Sequence, residues 1–152
     1  MYTIYCVRLV HILSIAVWFG PKLLVPAEVR RAIGAGDGAM TSAVRGINLV
    51  QKVTIAASMV TLASGLGMIF LFGGFGAVPT RIHIGFGMTL AIFGVGAFGV
   101  DKAWKRIREA VTAGRPEADL ETLARRLSHL MTVENALWLA VLVLMVFPLG
   151  QR

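Results

Sequence analysis

Two imidazoles stand inside runs of residues that otherwise carry little chemistry. His11 lies in the apolar run Tyr5–Val25 with Arg8 three residues before it, and His83 lies near the start of the run Ile82–Val100 with Arg81 two residues before it. Two histidines facing each other across a helical bundle can ligate a haem iron axially, and two arginines at the mouth can meet its propionates through charge-assisted hydrogen bonds. Met68, Met88 and Met145 fall at a similar depth, and imidazole together with thioether also suits copper. Copper gives no reason for the arginines or for the groove that Gly65 and Gly87 leave between backbones, so haem ranks first and copper second. A third possibility needs no ligand: the polar residues serve only helix packing, in a structural subunit of a larger membrane complex.

One acid belongs to a different layer. Glu134 sits roughly 7 Å inside the last apolar run, too deep for a lone charge. Lys22 and Lys52 both reach a comparable depth, so the expectation is an ion pair with one of them, or else a carboxylate that handles protons. His129, at the far end of the same run, reads as a surface residue. Cys6 is the only cysteine, which excludes an internal disulfide and any CxxC metal site.

These residues are positioned by four long apolar segments, about 5–25, 49–72, 82–100 and 130–147, each close to the ~20 residues a helix needs to span the hydrocarbon. Hydrophobic residues make up 57% of the 152 and charged residues only 15%, a composition that excludes an ordinary soluble domain. The first segment has no basic leader and is interrupted early by Arg8, so it reads as a retained span and not a signal peptide. The expected architecture is all-α: a single domain over residues 1–152, an integral membrane four-helix bundle running up-down-up-down in a lipid bilayer.

The net charge of +7 does not point to nucleic acid, because the basic residues concentrate in the connections 26–48 and 101–129 and beside them. By the positive-inside rule both connections are cytoplasmic and the chain is N-out and C-out, as in a multi-pass protein of a bacterial inner membrane. Gly34, Gly36 and Gly38 mark the turn of the first connection, Gly73, Gly74 and Gly76 before Pro79 the outer turn, and Gly114 the end of a helix that continues past Trp104.

Because lipid offers helices no hydrophobic reason to associate, polar and small residues mark the inward faces. At steps of three and four they give Arg8, His11, Ser14, Trp18 and Lys22 on the first helix, and Thr54, Ser58, Thr61, Gly65 and Met68 on the second. The third helix gives His83, Gly87, Gly94, Ala97 and Asp101, and the fourth Glu134, Trp138 and Met145. In an up-and-down bundle the first and third helices run parallel, which brings His11 and His83 into one leaflet, with Trp18 and Gly65 beside the same axis.

Val7-Arg8-Leu9-Val10-His11-Ile12-Leu13-Ser14, followed by Trp18-Phe19-Gly20-Pro21-Lys22-Leu23, resembles the first helix of the superfamily that includes the HemJ-type protoporphyrinogen oxidases and the CopD-like membrane proteins. Arg81-Ile82-His83 opening the third helix is similar too, as is the stretch from Arg126 to Asn135, where Glu134-Asn135 resembles an Asn-Glu step in inverted order. The resemblance implies haem b held in the bundle by His11 and then His83. The function expected is electron transfer or a haem-linked oxidation, with a redox partner protein, a quinone or a second copy of the chain as partners. HemJ proteins carry a lysine two residues after the histidine of the third helix, where this chain has Gly85. The resemblance therefore does not extend to protoporphyrinogen oxidation.

Overall fold

The computed structural model describes residues 2–147. It is helical throughout: α1 (Tyr2–Phe19), α2 (Val25–Gly34), α3 (Asp37–Leu71), α4 (Thr80–Gly94), α5 (Asp101–Thr112) and α6 (Glu117–Val146), with no strand among the described residues. Four helical stretches, counting α1 with α2 and α4 with α5, are long and apolar enough to cross a membrane, which makes this a multi-pass membrane protein. The expected four-helix architecture is the one observed.

The helices outrun the bilayer. At 1.5 Å per residue α3 is ~52 Å long against a hydrocarbon thickness of about 30 Å, so some 20 Å of it stands outside. That excess carries the basic residues. The connections expected at 26–48 and 101–129 are almost wholly helix, and α2, the start of α3, α5 and the start of α6 pack into a bundle of their own. Val29, Trp104, Ile107 and Leu127 are its most buried side chains, while Arg30, Arg45, Lys105, Arg108 and Arg126 face outward. This alternation, apolar in and charged out, is that of a water-facing bundle. Within the membrane the pattern inverts, and Leu13, Val17, Ile55 and Phe98 are exposed where lipid replaces water.

The breaks have local causes. Pro21 has no N–H to continue α1, and the chain tightens into a 3-10 turn over Pro21–Leu23 before α2, which carries Pro26 in its first turn. At the end of α3, Gly74 N–H bonds Ile69 O at 2.9 Å and Gly73 N–H bonds Phe70 O at 3.0 Å, a Schellman cap that needs the positive φ of Gly73. The same pair of bonds closes α5 through Gly114 and Arg115, as the position of that glycine led one to expect. Between α4 and α5 the helix widens into a π-helical turn, Val95–Val100.

Inside the membrane the four spans form two pairs and not one closed ring. α1 packs along α3, and α4 along α6; the two pairs meet at few backbone positions there and are joined chiefly by the bundle at the basic end. Aromatic side chains bridge the gap: Trp18 stands edge-on to Trp138 with centroids 6.2 Å apart, and Phe19 lies against Trp138 at 4.7 Å.

Candidate functional site

The aromatic bridge divides the space between the pairs into two chambers, and Trp18 lines both. The chamber farther from the basic end has a volume of about 410 Å³. His11, Thr61, Gly65, Met68, Trp138 and Met145 are among its walls, with Arg8 at its rim. The volume lies in the ~300–1,000 Å³ range of small-molecule sites.

His11 is held by the helix it packs against. Its Nδ1 is 3.1 Å from the Thr61 carbonyl and 3.0 Å from Ser64 Oγ, whose hydroxyl donates in turn to the Val60 carbonyl at 2.7 Å. A carbonyl only accepts, so the contact with Thr61 places the ring proton on Nδ1 and leaves Nε2 as an unprotonated lone pair. Nε2 has no hydrogen-bond partner among the described residues. A hydrogen bond from the other ring nitrogen to a carbonyl is what fixes the orientation of a metal-ligating imidazole. Below the ring, Ser14 Oγ donates to the His11 carbonyl at 2.9 Å, and Thr61 Oγ1 lies 2.9 Å from Ser14 Oγ. The hydroxyl ladder locks α1 to α3 in the register that presents His11.

Gly65 is what lets the ring lie there, because a Cβ on it would stand 3.1 Å from His11 Cε1, whereas one on Gly67 would meet nothing within 4 Å. Gly67→Ala is therefore expected to be neutral or to stabilise by up to ~1 kcal/mol through helix propensity. Gly65→Ala should forfeit that gain, and Gly65→Val should cost about 1–3 kcal/mol by overpacking. Denaturant titration in micelles reads the difference.

The third helix departs from expectation. His83 is exposed, its Nε2 is 2.9 Å from the Phe75 carbonyl of the loop and its ring leans on Phe75, so it does not line the chamber or face His11. Arg81 is not among the lining residues, Gly87 is exposed with open space beside it, and Met88 packs on the aromatic bridge. The inward face of α4 runs instead through Gly85 and Ile92. At Gly85 a Cβ would meet Met145 Cε at 2.6 Å, so the missing side chain there seats a methionine from α6. Ser64, which secures His11, escaped the sequence reading; it lies three residues after Thr61, at the edge of the marked stripe.

The chamber walls thus bring together one imidazole and two thioethers, donor types that haem iron or copper takes, and do not bring the two histidines together. Trp138 Nε1, buried without a partner among the described residues, adds a hydrogen-bond donor to the walls. Among the described residues no three His, Cys, Asp or Glu side chains gather as a metal site.

The second chamber, about 250 Å³, lies toward the basic end. Lys22 Nζ meets Glu134 Oε1 at 2.5 Å and stands 5.8 Å from the Trp18 ring centroid. Lys22, not Lys52, is thus the partner of Glu134; Lys52 is exposed. The π-helical turn brings Gly96 so close that a Cβ there would lie 3.3 Å from Glu134 Oε1. His129 is exposed, as expected. Comparison of the chain with protein-family models, with curated proteins and with solved structures gives no match in any of the three.

Proposed function

We propose that this membrane protein binds a b-type haem in the larger chamber, where His11 would hold the iron, and works in electron transfer or a haem-linked oxidation. The observation that carries the reading is His11 itself: an imidazole anchored through Nδ1, its Nε2 lone pair unused, lining an apolar chamber of ligand size. An ionisable group inside a span is a functional feature by default. Met68 and Met145 line the same chamber and would offer a thioether as a second ligand, and Arg8 at the rim would offer a cation to a carboxylate of the group. A bound haem contributes a one-electron couple. The chain's own part is to fix the ligand tautomer through Thr61, to exclude water with Trp18, Trp138 and Ile92, and to hold the rim charge.

In this reading the basic bundle faces the cytoplasm of a bacterial inner membrane, and the electron partner is a protein or a quinone. The test is the reduced-minus-oxidised spectrum of protein purified in mild detergent after haem supplementation. His11→Ala is expected to lose the signal and His83→Ala to keep it. Full signal in His11→Ala overturns the assignment, and loss in His83→Ala restores the two-histidine arrangement.

The two thioethers also favour a second reading, a copper site made by His11, Met68 and Met145. An elemental count of iron and copper on the same sample separates the two.

A further inference from the structure

We infer that the chamber at Lys22 and Glu134 is a binding site for a neutral quinol, a hydroxylated aromatic ring that reaches it sideways from the bilayer. Glu134 is 1% exposed, and its Oε2 has no hydrogen-bond partner among the described residues. A buried, charged acceptor left open is costly, and it is satisfied by a ligand that donates. Lys22 gives one of its three N–H groups to Glu134 Oε1, and no other acceptor stands within reach of the ammonium among the described residues. A ligand here thus donates to the carboxylate and accepts from the ammonium, and a quinol hydroxyl does both.

Charge and shape narrow the class further. Asp101 also lines the chamber, so an anionic headgroup is disfavoured by two carboxylates, while a cationic one has to compete with Lys22, already paired at Glu134. Trp18 and Phe93 provide aromatic walls, and about 250 Å³ holds a single ring but neither a porphyrin nor a long tail. The tail has a way out. The chamber is lined by Ile55 of α3 and Ala97 of the π-helical turn, both exposed on the lipid side, and α3 and α4 come together at few positions.

The inference does not depend on haem binding, although Trp18 lines both chambers. The decisive property is a preference for the reduced form, because a quinone accepts hydrogen bonds but has none to donate to Glu134.

Calorimetric titration of the haem-free protein in micelles with decylubiquinol and with decylubiquinone reads that preference. Saturable binding with the quinol tighter by roughly ten-fold or more is expected, the difference a charge-assisted hydrogen bond makes. Glu134→Gln should bring the two forms close to equal, while Gly67→Ala, away from the chamber and with open space beside it, should leave both affinities unchanged. Ile55→Trp changes only an exposed side chain at the portal, so it folds even if Glu134→Gln does not; it should weaken binding by a similar factor. Absence of saturable binding, equal affinity for the two forms in the unaltered protein, or full affinity in Ile55→Trp overturns the proposal. None of these outcomes bears on the His11 spectrum.

Discussion

Replacing Lys22 with methionine is expected to lower the unfolding free energy in micelles by about 3–5 kcal/mol, among the largest losses any single charge change in this chain can produce. The pair it breaks is almost wholly out of solvent, with side-chain exposures of 13% for Lys22 and 1% for Glu134. Removing the lysine leaves a carboxylate with both oxygens unpartnered, since Oε2 already has none. Glu134→Leu should cost less, because the surviving ammonium is the more exposed partner and still lies over the Trp18 ring. The double change Lys22→Met with Glu134→Leu should recover most of the loss, as apolar replacements of buried ion pairs commonly do. A double-mutant cycle by chemical denaturation measures all three. A double variant no more stable than Lys22→Met alone would mean that the lysine stem and not the charge pair holds α1 to α6.

The spans were legible because composition and length alone separate a membrane helix from a soluble one, and the basic connections could be read from charge. Helix pairing could not. Small and polar residues mark a face only where the rest of the face carries contrast, and α1 and α3 have it: the stripe from Arg8 to Lys22 and that from Thr54 to Met68 do meet, with His11 on Thr61 and Ser64. On α4 the markers were mostly glycines, and glycine lies toward lipid as readily as toward protein. The inward face there is defined by Ile92 and by Gly85 under Met145, two apolar contacts that no local signal distinguishes from their neighbours. His83 was misplaced for a related reason: it stands in the first turn of α4, where the loop carbonyl of Phe75 can take it. The π-helical turn Val95–Val100 adds a further shift, because one extra residue per turn rotates everything beyond it by about 100° relative to an unbroken α-helix. Glu134 was legible as a residue needing a partner, but the choice between Lys22 and Lys52 rested on the bend at Pro21, which depth along a straight helix does not register.

Trp104→Ala is expected to cost about 3–5 kcal/mol, and the position of the residue makes the consequence reach beyond its own core. Trp104 is 1% exposed and its indole N–H donates to Asn48 Oδ1 at 2.8 Å, so truncation both opens a cavity and orphans an amide. It sits in the basic-end bundle, and that bundle is the principal connection between the α1–α3 pair and the α4–α6 pair. Loosening it should free the pairs to part and so disturb the Lys22–Glu134 contact, which spans them. The His11 contacts lie wholly between α1 and α3 and should survive. Limited trypsin digestion reads the first effect through the exposed Arg115, Arg125 and Arg126, which should be cut faster in Trp104→Ala. Trp104→Phe, which keeps most of the volume and loses the hydrogen bond, should fall between. If Trp104→Ala is cut no faster than the unaltered protein, the two pairs are held together within the membrane, by the Trp18–Trp138 bridge, and the basic-end bundle is an appendage to them.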